Sequence, residues 1–160
     1  MLASFLMGIV GGQRAMTPLA AVALAAAQGR LPVQQGGRPP GFIRLLAHPF
    51  VARGALALAV AEMVGDKQAS APDRIVPIGL VARFATSAIA GAALAPRRAC
   101  WLGAAVGSLT AVVASYPGWR ARVAAMPRYG QIPTGLVEDA LVAASAAAIV
   151  LEHGRAADRA

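Results

Sequence analysis

Six ionisable side chains fall inside or at the ends of otherwise apolar stretches: Arg14, Glu62, Asp66, Arg83, Glu138 and Asp139. At hydrocarbon depth each costs roughly 3 kcal/mol or more, so such groups require partners or water. Carboxylates and guanidinium groups within ~4 to 6 Å keep one another ionised. Together they offer a polar cavity that can take a small cation, a proton or a polar headgroup, while paired arginines also suit a phosphate or carboxylate. Thr17 and Thr86, each three residues after one of the arginines, and Lys67 beside Asp66 are secondary contributors to the same site.

That these groups lie in lipid follows from composition. The chain has 160 residues, of which 58% are hydrophobic and 14% charged, with a mean hydropathy of +0.60. Soluble domains carry about 25% charged residues, so the deficit argues against a water-exposed globule. Aromatic residues make up 5%, and apolar stretches of bilayer length recur, which disfavours disorder and a β-rich fold. The expected architecture is an all-α membrane bundle of about five spans, forming a single domain over residues 1–151 with a polar tail at 152–160.

The spans are read as residues 2–28, 49–65, 75–95, 99–115 and 132–151. The first reaches ~40 Å as a continuous helix against ~30 Å of hydrocarbon, and Gly11, Gly12, Thr17 and Pro18 interrupt it, so a break is expected between Arg14 and Pro18. Residues 42–46 suggest a short interfacial helix. Pro96, Arg97 and Arg98 form a tight turn. Trp101 and the pair Tyr116 and Trp119 bracket the fourth span at ~23 to 27 Å, the separation of two interfacial belts. Pro117 is expected to end that helix, leaving Arg120, Arg122 and Arg128 on an interfacial loop or short surface helix.

Alternating crossings then decide where the charges lie. Glu62 and Asp66 end the second span, Arg83 follows the start of the third, and Glu138 and Asp139 follow the start of the fifth, so all share one face of the membrane. Arg14, in a long first span starting from that face, approaches the same layer. Asp66 meets the unfavourable pole of its helix and wants Lys67, Arg83 or Arg14 nearby. Eight cations (Arg30, Arg38, Arg44, Arg53, Arg97, Arg98, Arg155 and Arg159) stand on the other side against five (Lys67, Arg74, Arg120, Arg122 and Arg128). The excess favours an inner-membrane protein with its amino terminus outside and its carboxyl terminus in the cytoplasm.

Small residues recur at packing spacing in Gly8 with Gly12, Ser87 with Gly91, and Gly103 with Gly107. They suit close helix contacts, and a homodimer through the same faces is a further expectation. The match between residues 14–17 and 83–86 hints at an internal repeat.

Other chemistry has little support. The net charge of +8 comes from arginines scattered between apolar segments, with no basic stripe or stacking aromatics, so nucleic acid is not expected. Cys100 is the only cysteine, and His48 and His153 have no second ligand at helical spacing, so neither a metal nor a cofactor is implied. No nucleophile elbow, phosphate loop or zinc motif is present, and an enzyme is not expected. Residues 2–12 lack a preceding cation and are followed by one, the reverse of a signal peptide.

In the residues 12–14 and 17–19, in Glu62 with Asp66 and Lys67, in Arg83, and in Glu138 with Asp139, the chain resembles a family of small bacterial integral membrane proteins catalogued as domain of unknown function 4126. The likeness covers roughly residues 8–151. In that family a proline follows closely after the Asp-Lys pair, whereas here residues 68–71 intervene before Pro72. The resemblance implies a compact helical membrane protein and brings no activity with it. The residues themselves leave two readings open: a water-accessible transport site, or a closed ion-paired core that holds the helices together.

Overall fold

The computed structural model describes residues 1–31, 34, 40–67 and 76–158, and the regular elements among them are helical. In chain order they are α1 (Leu2–Gln13), α2 (Met16–Ala27), α3 (Gly41–Leu46), α4 (Pro49–Gly65), α5 (Pro77–Ala93), α6 (Cys100–Tyr129) and α7 (Gln131–Asp158), with a 3-10 turn at Arg97–Ala99. The all-α expectation holds. The turn between residues 68 and 75, with the start of the third predicted span and Arg74, lies outside the described residues, as do Arg38, Arg159 and the side chain of Arg155.

Prolines set several of the helix starts. Pro49 and Pro77 occupy first-turn positions of α4 and α5, where a missing N–H costs nothing, and the preceding His48 and Val76 are extended as a following proline requires. Pro18 likewise sits in the first turn of α2. Between α1 and α2 the backbone of Arg14 is extended, with φ −139° and ψ 121°, which is the predicted break.

The break does more than kink a crossing, because the chain turns back on itself there. A Cβ built on Gly11 would meet the ring of Pro18 at 3.3 Å, although seven residues of continuous helix rise ~10 Å. Residues Met1, Leu2 and Leu6 border a cavity with Ile149, Glu152 and His153, while Gln13 borders another with Glu138 and Leu141. Gly154 in turn faces the carbonyl of Arg30. So α1 runs antiparallel to α7 and α2 runs parallel to it. Residues 2–28 are therefore a helical hairpin rather than one broken span, and the start of α1 lies at the same end of the bundle as the end of α7. A first segment that ran once through the bundle would instead put these two ends of the chain at opposite ends of it.

The remaining helices continue the alternation. α4 packs against α2 and α5 against α6, while α6 and α7 form a second hairpin that turns through Gly130 alone. Its φ of +81° is a left-handed conformation that favours glycine. The turns at Arg14 and Gly130 and the C-terminus of α4 lie at one end, called here the tip end.

Close backbone approaches hold the hairpins together. Ser4 donates a hydrogen bond of 2.9 Å to the carbonyl of Gly91. Cβ atoms on Gly91 and Gly103 would each strike the other's backbone, one on Gly107 would strike Ser87, and one on Gly8 would lie 2.7 Å from the carbonyl oxygen of Gly107. α1, α5 and α6 thus pack through the small-residue faces read from sequence, and those faces are occupied within one chain.

Two boundaries differ from expectation. α6 runs through Pro117 to Tyr129, so the stretch expected as an interfacial loop or a short surface helix continues the preceding helix. Pro117 leaves the carbonyl four residues back without a ladder donor, and in that turn Gln13 Nε2 donates to the carbonyl of Ala114 at 3.1 Å. The predicted tail is also helical, as α7 continues to Asp158 and His153 Nε2 lies 2.7 Å from the carbonyl of Leu94. Both α6, with the turn before it, and α7 are long and apolar enough to cross a membrane, whereas α1, α2 and α5 are shorter apolar helices.

Candidate functional site

The site begins with the backbone that the hairpin reversal exposes. The first turn of a helix has amide groups without intrahelical partners, and α2 has no side-chain cap of its own. Glu62, in the last turn of α4, supplies one: its two carboxylate oxygens accept hydrogen bonds of 2.8 Å from the amides of Ala15 and Met16. An acid at a helix N-terminus also meets the favourable pole of the dipole. Glu62 therefore ties α4 to the turn of the first hairpin.

Arg14, at the turn itself, has a side chain only 2% exposed. Its Nη1 lies 2.8 Å from Asp66 Oδ2, and its Nη2 lies 2.6 Å from Asp139 Oδ1, with Nε donating to that same oxygen at 2.8 Å. One guanidinium from the first hairpin thus joins carboxylates from the end of α4 and from α7. Lys67 pairs with the other oxygen of Asp139 and donates to the carbonyl of Met63 at 2.8 Å.

Asp66 caps the C-terminus of α4, where the helix dipole disfavours an acid. Arg14 offsets this, and so does Arg122 on α6, which pairs with Asp66 Oδ2, donates to the backbone carbonyl of Asp66 at 3.1 Å, and reaches Glu138 Oε2 at 3.2 Å. Gln131 Nε2 reaches the same backbone carbonyl at 3.4 Å. In the described pairs three cations face three carboxylates, and the fourth acid, Glu62, faces the N-terminus of α2. Side-chain exposure across the ion pairs ranges from 2% to 18%, so the network is largely closed to its surroundings.

Of the residues expected from sequence, the geometry gathers Arg14, Glu62, Asp66, Lys67, Glu138 and Asp139 at the tip end. Arg83 is buried on α5. Thr86 Oγ1 donates to the carbonyl of Ala82 at 2.8 Å, one turn back on its own helix. Thr17 is buried and lines an apolar groove between α2, α4 and α7.

Arg122 was missed because Pro117 was expected to end the helix. The signal was present: Gly103, Gly107, Ala111 and Ser115 form a small-residue stripe at four-residue spacing, and Arg122 lies on its continuation two turns further. Gln131, at the start of α7, carried no comparable pattern.

No family model, no curated protein and no solved structure matches this chain. The functional reading therefore rests on the residues and their geometry.

Proposed function

We infer that the chain is an integral protein of the inner membrane whose tip-end ion pairs form a closed structural core that clamps the α1–α2 hairpin, α4 and the α6–α7 hairpin together. The position of Arg14, almost wholly buried and shared between Asp66 and Asp139, carries this reading. Membrane placement is supported by α6 and α7 and by an outer surface bearing Phe50, Ile78, Trp101 and Val113, each more than 70% exposed, a density of large apolar side chains that water does not tolerate. α1 and α2, at twelve residues or ~18 Å each, form a re-entrant hairpin, and α4 to α7 cross. Both ends of the chain then share the cationic side, which the charge bias assigns to the cytoplasm.

A second reading, passage of a small cation, proton or polar headgroup, draws support from a cavity of about 240 Å³ bordered by Gln13, Thr134, Arg122 and Glu138. It reaches the pair between Arg122 and Glu138.

Flux across vesicles containing the purified protein separates the two. The closed core predicts no proton or alkali-cation flux above empty vesicles, and carboxylates that resist a water-soluble carbodiimide until the protein is unfolded. Flux that disappears in Glu138→Gln while thermal stability is retained would establish the transport reading instead.

A further inference from the structure

Two openings in the bundle lie away from the ion pairs, and they are apolar. One groove of about 450 Å³ runs between α2, α4 and α7, with walls that include Leu24, Val60, Ala147 and Val150. Its polar lining is confined to its ends: Thr17 toward the tip end, and Gln28 with Arg30 at the opposite end. No acid lines it, and among the described residues the Arg30 guanidinium has no ion-pair partner. Along α2 the distance between these ends is ~17 Å, close to the ~15 Å depth of one hydrocarbon leaflet.

We propose that this groove seats one acyl chain of an anionic phospholipid, with the headgroup phosphate held by Arg30 at the cationic end of the bundle. The dimensions suit a chain lying along the membrane normal. The single cation at the rim supplies the headgroup preference, because a guanidinium matches phosphate geometry and no carboxylate competes for it. A second groove of about 560 Å³ lies between α3, α5 and α6, with Phe42, Leu45 and Ile89 on its walls and Trp101 at the same end of the bundle. The groove beside Arg30, apolar along its length with one cation at its rim, fits an anionic lipid better than a polar solute.

The inference rests on the membrane placement proposed above but not on the closed core. It is tested with the full chain purified in detergent and exposed to equimolar phosphatidylglycerol and phosphatidylcholine, with retained lipid and oligomeric state read by native mass spectrometry. Wild type should retain phosphatidylglycerol about fivefold over phosphatidylcholine. Arg30→Gln should reduce this preference while retaining lipid, and Ala147→Phe, which fills the groove from an exposed position, should reduce the amount retained at an unchanged melting temperature. Equal retention of both lipids by wild type, or a preference unaltered by both substitutions, overturns the proposal. So does a dimer that retains no lipid and dissociates in Ala147→Phe, since the groove is then covered by a second copy. Release of the chain from native membranes by alkaline carbonate would instead contradict the membrane placement itself, which distinguishes the two failures.

Discussion

Arg14 and Asp139, 125 residues apart in sequence, meet through two guanidinium nitrogens at 2.6 and 2.8 Å from one carboxylate oxygen. The contact joins the turn of the first hairpin to α7, and the same arginine reaches Asp66 at the end of α4. Nearly all of its side chain is out of contact with solvent, so its removal cannot be repaired by water.

Arg14→Gln should therefore destabilise the protein by about 3 to 5 kcal/mol, because it leaves two mostly buried carboxylates short of a partner. Arg14→Lys should recover only part of the loss, since an ammonium lacks the planar fork that touches both acids at once. Thermal unfolding in detergent measures both; a Gln variant that melts with wild type removes the clamp.

Glu62→Gln tests the other tie to the reversal. The amide keeps one acceptor but points a donor at an amide that also donates, and it loses the charge facing the α2 N-terminus. A cost of about 1 to 2 kcal/mol is expected. Hydrogen exchange at the amides of Ala15 and Met16 should quicken in the variant while exchange in the middle of α6 is unaltered. Unchanged exchange at both sites would mean that the carboxylate does not cap α2.

Glycine substitutions should divide by position. In Gly12→Ala the new methyl lies 2.7 Å from Ala114 Cβ and 2.8 Å from the carbonyl oxygen of Ala111, so α1 and α6 must separate at a cost of about 1 to 3 kcal/mol. Gly54→Ala meets nothing within 4 Å in the interior of α4 and should stabilise by about 0.5 to 1 kcal/mol. Melting temperatures that fail to separate in opposite directions would contradict the packing of α1 on α6.

The hairpin reversal predicts topology. Reporter tags on the two ends of the chain, and the native Cys100 at the start of α6, should all be accessible from the same side of the membrane. A cysteine placed at Gly130 in a Cys100→Ala background should react from the other side. Tags reporting opposite sides would restore a single crossing for residues 2–28.

Much of this arrangement was legible before any coordinates. The bounds of α4 were read residue for residue from Pro49 and the closing Asp66 and Lys67, and the break after Gln13 from glycines and a proline. Six of the expected site residues converge because charged groups in apolar helices need one another, and helices that alternate in direction bring them to one end. Pro117 misled because a proline's local cost is offset when a neighbouring helix restores the packing and a side chain such as Gln13 bonds the turn. Arg122 was lost with it.

By itself the sequence determined the helical class, most helix starts and the need for a shared polar layer, since these depend on periodicity, proline geometry and the cost of desolvating charge. Only the tertiary structure decided that the chain reverses at Arg14, that Arg122 completes the network, and which acid meets which cation. An extended residue between two helices is compatible with a kink or a return. The choice depends on packing of Gly11 against Pro18 and on a cap delivered by Glu62 from α4, neither of which is encoded in the residues adjoining the break.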